Sequence, residues 1–368
     1  VNELINLDDF ERSALARLPA GVRGYCAGGA EDELTLAANR RAWSEWQVHY
    51  RVMRDVGERS LATQLLGQAL DWPVLIAPTA CHALAHADGE LATARAAGAT
   101  GTTMVLSTLA NHGVAAVAPV ATAGLWFQLY VYRDRGVTRE LIARARAAGC
   151  RALVLTVDLP VAGRRERDIR HQFAFPAHLP LGNLAGLASL SAAPPAVAGF
   201  IGYIDGLFDP TLTWRDLEWL VGEAGMPVLV KGIVRADDAL LAVQHGASGV
   251  IVSNHGGRQL DGAPPTAQVL PRVAAALRGA GPTAAGAAQR PALLVDGGIR
   301  RGVDVLRALA LGADAVMLGR PVLWGLAVGG EHGVRRVLDL LRHELSVAMA
   351  LAGCRSVADI GADLVSRG

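Results

Sequence analysis

The stretch Ser253-Asn254-His255-Gly256-Gly257-Arg258-Gln259-Leu260-Asp261 sets an imidazole three residues before a guanidinium, with two glycines between them. An imidazole titrates near neutral pH and suits a general base, while a guanidinium offers a carboxylate a planar fork of donors. Together they read as a base beside an anion anchor. Asp158 ends another apolar run, where an acid facing His255 would orient the ring and stabilise its protonated form. The alternative is that Asp158 caps a turn while Arg164 and Arg165 pair at the surface with Glu166 and Asp168. Arg164 is expected at the surface; Arg165 stands open between surface and site.

A second group of residues suits phosphate. Asp296-Gly297-Gly298-Ile299-Arg300 and Gly319-Arg320 each follow an apolar run. Glycines let backbone N–H groups approach an anion, and the guanidiniums of Arg300 and Arg320 can clamp its oxygens. Of the 35 basic residues Lys231 alone is lysine, and in a chain drawn so far towards arginine a surviving ammonium points to a task that a guanidinium cannot perform. His82 and His86, followed by Asp88 and Glu90, have a spacing that a helix could turn into a metal site, but they follow the Pro78-Thr79-Ala80 turn, and no metal is expected there. Cys26 and Cys81 fall near the predicted site without a sign of reactivity.

These residues need elements to hold them. Apolar runs rich in Val, Leu and Ile recur at 73–77, 102–107, 125–129, 152–156, 227–231, 249–253, 292–295 and 315–318. Each is followed by a glycine-bearing or polar turn and then a segment of helical period. Strands that are apolar throughout are covered on both faces, and eight βα units favour closure. The expected fold is α/β, a (β/α)8 TIM barrel, with a helical segment over residues 1–60, the barrel over 61–325 and C-terminal helices over 326–368, all in one domain. An open doubly wound sheet would carry G-x-G-x-x-G after its first strand, and that is missing. In a barrel of this kind the active site lies at the C-terminal strand ends, which here carry Thr79, Ser107, Gln128, Tyr130, Thr156, Asp158, Lys231 and Ser253. The long connection after the fourth strand, about 163–226, reads as a lid, and its uncharged part, 172–204, as a loop broken by prolines.

Composition excludes several functions. A hydrophobic content of 51% supports a large core, and a net charge of +1 leaves no surplus for nucleic acid or an anionic membrane. The four cysteines are scattered, with no C-x-x-C pair and no secretory leader, so the cytoplasm is the expected location.

The nonapeptide Ser253 to Asp261 resembles the signature of the FMN-dependent 2-hydroxy acid oxidases and dehydrogenases, the glycolate, lactate and mandelate enzymes. The likeness continues through Tyr25 to Glu33, Ile76 to Ala80, His86 to Glu90, Phe127 to Tyr130, Thr156 to Asp158, Gly163 to Arg165, Lys231-Gly232, Asp296 to Gly298 and Gly319-Arg320. It implies His255 as base with Asp158 behind it. Arg165 and Arg258 would clamp the substrate carboxylate, and Tyr25 and Tyr130 would hold substrate oxygens. FMN would meet Thr79, Ala80, Ser107, Gln128, Thr156, Lys231, Ser253, Asp296 and Gly297, with its phosphate at Gly298, Arg300, Gly319 and Arg320. Lys231 would stabilise charge on the reduced flavin.

The resemblance also implies oxidation of an (S)-2-hydroxy acid to the 2-oxo acid with O2 as acceptor and H2O2 as product, in a homo-oligomer, a tetramer. A dehydrogenase using a quinone or another acceptor is the alternative. Leu109 stands where the glycolate oxidases carry tryptophan, which favours mandelate, 4-hydroxymandelate or a lactate-like acid over glycolate alone. A more distant reading is a barrel lyase or isomerase on a phosphorylated substrate, with Lys231 forming a Schiff base. That reading leaves His255, Arg258 and Arg165 without a task.

Overall fold

The computed structural model describes residues 1, 3–187, 202, 206–279 and 290–368. Part of the predicted 172–204 loop, residues 188–201 and 203–204, lies outside the described residues. Eight strands, β1 (Val74–Ile76), β2 (Met104–Leu106), β3 (Leu125–Leu129), β4 (Leu153–Thr156), β5 (Val228–Ile233), β6 (Gly249–Val252), β7 (Ala292–Val295) and β8 (Ala315–Leu318), close into a barrel. Each pairs with its neighbours in parallel, and β8 returns to β1. The eight predicted runs match these strands. The one notable shift is in β5, which continues past Lys231 to Ile233 with a break in register between them. Lys231 is therefore held within a strand, not on the turn after it.

Although the strands are apolar throughout, their side chains still alternate by strand period. Leu75, Val105, Trp126, Val154, Leu229, Ile251, Leu294 and Met317 fill the barrel interior. Their neighbours, such as Val74, Leu106, Phe127, Leu155, Val250 and Val295, pack outward against the helices. A hairpin of Thr63–Leu65 and Gln68–Leu70 adds Leu65 and Leu70 to the interior cluster, and Gln68 accepts a hydrogen bond from the Trp126 indole (3.2 Å). One end of the barrel is thus plugged, and the opposite end is left for the site.

The N-terminal segment forms α1 (Leu7–Arg17), α2 (Ala20–Ala27) and α3 (Leu34–Ser44). Asn6 caps α1 by accepting from the Asp9 N–H, with Asp8 and Asp9 in the first turn. The first turn of α3 is capped from a distance: the Asp261 carboxylate accepts from the N–H groups of Thr35 (2.8 Å) and Leu34 (3.2 Å). The orphan carbonyls at the end of α2 are satisfied by arginines from the barrel mouth. Arg258 donates to the carbonyls of Tyr25 and Gly28, and Arg320 to those of Cys26 and Gly28. This docking carries Tyr25 into the site.

The chain's end departs from the all-helical reading. Two helices span Arg320–Ala352, separated by a break at Gly329 and Gly330 where the backbone is not helical, and the first of them crosses the 325/326 boundary. The last residues form a strand, Val365–Arg367, antiparallel to Trp46–Val48. A three-residue edge strand of Val-Ser-Arg has too little pattern to announce itself. Among the described residues, no helix is long and apolar enough to cross a membrane.

Candidate active site

The mouth of the barrel holds a pocket lined by Tyr25, Thr79, Ala80, Ser107, Leu109, Tyr130, Arg165, Lys231, His255, Arg258, Asp296, Gly297, Gly298, Arg300, Gly319 and Arg320. Sixteen of the positions singled out in the sequence are thereby brought together. The other four lie directly behind this surface. Gln128 accepts from Ser107 Oγ and the Thr108 N–H (3.2 Å each) and donates to Thr156 Oγ1 (3.1 Å). Ser253 Oγ accepts from Lys231 Nζ (2.9 Å) and from the His255 N–H (3.1 Å). Asp158 binds His255.

His255 Nδ1 is 2.7 Å from Asp158 Oδ1, so Asp158 is the ring's partner and not a turn cap. His255 has a left-handed backbone (φ 56°) and is followed by Gly256 and Gly257, also at positive φ. The sharp turn at the end of β6 presents the ring to the pocket, and Gly257 must lack a side chain because a Cβ there would come within 2.6 Å of the Leu36 nitrogen. Burial, with the charges of Lys231 and Arg165, lowers the His255 pKa against the pull of Asp158. Burial alone would raise Asp158, but His255 and Lys231 hold it below the usual carboxylate range. The pair is then a neutral imidazole backed by a carboxylate, the state in which a base accepts a proton.

Lys231 is buried and ion-paired to Asp296 (3.4 Å). Burial works against its charge, but Asp296 and Asp158 outweigh burial and raise its pKa. A Schiff-base lysine needs a free amine, so the lyase reading loses its nucleophile.

Four arginines line the pocket, and among the described residues none of the four forms an ion pair with a carboxylate. Arg165 and Arg300 are buried, and burial drives the pKa of each down to about 10, and that of Arg320 to about 9. Among the described residues the buried Nε atoms of Arg165 and Arg300 have no hydrogen-bond partner. A guanidinium has five N–H donors: Arg320 gives three to carbonyls and Arg258 gives two, so both keep donors for the pocket. Arg164, by contrast, lies exposed 3.8 Å from Glu166, as its surface reading expects. Buried cations without carboxylates are costly unless an anion is to be received.

Tyr25 stacks on Phe173 (4.8 Å) beneath the Arg258 guanidinium, and Tyr130 stacks on Phe208 (4.4 Å). Burial raises both phenols well above their ordinary value, so they stay protonated donors. His82 and His86 have other partners: the His82 ring lies between the hydroxyls of Thr79 (2.6 Å) and Thr93 (2.9 Å), and His86 Nδ1 accepts from the Asp88 N–H. Sequence reasoning gave no role to Gln259, whose amide bridges two loops beside the pocket, nor to Leu159 and Leu323, which add apolar wall. Leu159 was within reach, one residue past Asp158 at a strand end.

The barrel, the His255–Asp158 pair and the arginines free of carboxylates at its mouth are those of a barrel enzyme that acts on an anionic ligand. The chain belongs to the FMN-dependent dehydrogenase family, whose model matches residues 14–367. It is 48% identical to an L-lactate oxidase of Nostoc sp. over 98% of this chain and 97% of that one, and 46% identical to a glycolate oxidase of Spinacia oleracea over 97% and 94%. A mandelate oxidase solved with (S)-4-hydroxymandelic acid superposes with a TM-score of 0.90 at 41% identity, covering 99% of this chain and 98% of that one.

The residues present fit the family's cofactor. The unpartnered donor of Arg300 and the remaining donors of Arg320 suit a phosphate. Gly298 has φ 84°, and a Cβ on it would come within 2.0 Å of the Asn39 carbonyl, so only bare backbone fits at this turn.

Proposed function

We propose that the chain oxidises (S)-2-hydroxy acids of the mandelate, 4-hydroxymandelate or lactate-like type to 2-oxo acids, with O2 as the electron acceptor and H2O2 as the second product. The observation that carries this reading is the grouping of an Asp158-backed His255 with four arginines free of carboxylates in one pocket. Arg300 and Arg320, with the turns at Asp296 to Gly298 and Gly319, hold the cofactor phosphate. Thr79, Ala80, Ser107, Gln128, Thr156 and Ser253 hold the rest of the cofactor. Arg165 and Arg258 take the substrate carboxylate, with Tyr25 and Tyr130 donating to substrate oxygens.

Two arginines on one carboxylate convert binding energy into orientation of the α-carbon. His255 removes a proton, from the hydroxyl where a hydride leaves the α-carbon or from the α-carbon itself, and Asp158 stabilises the imidazolium. FMN, when bound, supplies the two-electron acceptor, and Lys231 places a fixed positive charge beside it. Leu109 and Leu159 give the substrate side chain an apolar wall, in keeping with the (S)-4-hydroxymandelic acid with which the mandelate oxidase was solved. The four cysteines are free and buried, which supports a cytoplasmic location, and a homotetramer is part of the same reading.

A panel of glycolate, L-lactate, 2-hydroxyoctanoate and both mandelate enantiomers tests this. (S)-mandelate or L-lactate should bleach the yellow holoenzyme anaerobically, and air should then restore the colour with stoichiometric peroxide. Bleaching by none of the panel refutes the reading; recolouring by a quinone but not by O2 moves it to a dehydrogenase.

A further inference from the structure

The loops after β4 and β6 carry different parts of the site, Asp158 and Arg165 on one and His255 and Arg258 on the other, and Gln259 joins them. Its Nε2 donates to the carbonyls of Asp158 (2.8 Å) and Val161 (3.1 Å), and its Oε1 accepts from the Gly163 N–H (3.2 Å) and from Arg165 Nη2 (3.5 Å). A primary amide has two donors and can accept two bonds, so all of its capacity goes to one loop. The partners also fix which way the amide faces, since two are carbonyls and two are N–H groups.

The loops meet with no slack. A Cβ on Gly163 would lie 2.4 Å from the Arg258 carbonyl and 2.6 Å from Gln259 Cα. Backbone therefore packs on backbone, and the Gln259 amide sets the register between the loops. Among the described residues the Arg165 side chain makes no other hydrogen bond, and its buried Nε has no partner.

We infer that Gln259 is a positioning residue: it holds Arg165 at the angle that completes the carboxylate clamp with Arg258, and holds Asp158 by its backbone behind His255. This rests on the functional reading above. Without the amide, the Asp158 and Val161 carbonyls and the Gly163 N–H lose partners, and Arg165 is free to turn from the clamp.

The test uses the holoenzyme and benzoylformate, a 2-oxo acid that reports the clamp through the flavin difference spectrum without turnover. Gln259→Leu should raise the dissociation constant of benzoylformate about tenfold or more, the scale set by the loss of one or two net hydrogen bonds, and should raise KM for (S)-mandelate by more than it lowers kcat. Gln259→Glu keeps the shape but loses both donors to the Asp158 and Val161 carbonyls, and its carboxylate draws the Arg165 guanidinium to itself, away from the substrate carboxylate. It should weaken benzoylformate similarly, so the test survives if the leucine variant does not fold. Asp261→Asn, which loosens the other side of the same loop where it caps α3, serves as the stability control: it should lower Tm with little change in benzoylformate binding. A glutamine that is only a loop clip would give Gln259 variants with lowered Tm and wild-type affinity for benzoylformate, and that result overturns the inference. A wild-type enzyme that binds benzoylformate yet oxidises no 2-hydroxy acid sinks the functional reading instead, and the binding comparison still decides the part played by Gln259.

Discussion

Replacing Asp158 by asparagine removes one charge and almost no volume, and the effect on His255 follows from the geometry. The 2.7 Å contact to Nδ1 strengthens when the ring gains a proton, because a hydrogen bond to a charged partner contributes about 1.5–3 kcal/mol against about 1 kcal/mol for a neutral one. Among the described residues the buried Asp158 Oδ2 has no hydrogen-bond partner, so no second bond orients the new carboxamide. Lys231, then offset by Asp296 alone, bears more strongly on the imidazolium. A loss of about 2–3 kcal/mol from the proton-transfer step slows it about 30- to 150-fold. The assay is anaerobic bleaching of the flavin at saturating (S)-mandelate in a stopped-flow instrument. The pH profile supplies a sign: burial already lowers the His255 pKa and Asp158 opposes it, so loss of the carboxylate lets the pKa fall further. The acid limb of the bleaching rate should therefore move to lower pH as the plateau drops. A plateau within about threefold of wild type, or an acid limb that moves upward, refutes Asp158 as the partner that stabilises the imidazolium.

Four further outcomes are expected. His255→Ala should keep its yellow colour and lose bleaching by substrate, and substantial residual bleaching at saturation contradicts its role as base. Lys231→Met should slow flavin reduction about 100-fold, the effect of removing one charge-stabilising group. It also leaves Asp296 buried and unpaired, so Lys231→Met/Asp296→Asn should recover Tm but not the rate. Gly298→Ala forces a side chain against the Asn39 carbonyl at positive φ and should weaken FMN retention in equilibrium dialysis, leaving far-UV circular dichroism native. Glu90 is buried where desolvation would raise its pKa, yet His112, His82 and the Asn111 N–H hold it to about 2, from 4.5. A depressed acid contributes stability above its unfolded value and loses it as pH falls through the folded one, here about 3 kcal/mol lost between about pH 5 and 2. Glu90→Gln should therefore lower Tm near neutral pH and flatten its decline across that window.

The barrel was legible because eight apolar runs with βα spacing leave few other ways to bury themselves, and the strand ends then marked the site residue by residue. Lys231 was visible as the one lysine among 35 basic residues, and Arg300 and Arg320 through neighbouring glycines. The contacts across the chain were harder to read. His255 and Asp158 are far apart in sequence, and their pairing came from topology and family likeness together. That Arg258 and Arg320 would also tie down the end of α2 has no sequence pattern, because carbonyl acceptors belong to every residue. Gln259 stayed silent for the same reason: two of its partners are carbonyls and one is a backbone N–H, so nothing in residue type announces them. The terminal strand Val365–Arg367 was missed because three edge residues carry no periodicity.

The four arginines that face the pocket without carboxylates bear on the life of the protein as well as on its chemistry. Like charges gathered at a half-closed site oppose folding, and whatever neutralises them drives folding by mass action. Free flavin at a hundred times its dissociation constant adds about 2.7 kcal/mol, a large share of a typical domain's margin. Cofactor supply and polypeptide survival are thereby coupled: chains made when FMN is scarce spend more time open to proteases. The amount of this enzyme in a cell should follow riboflavin status even at constant transcription.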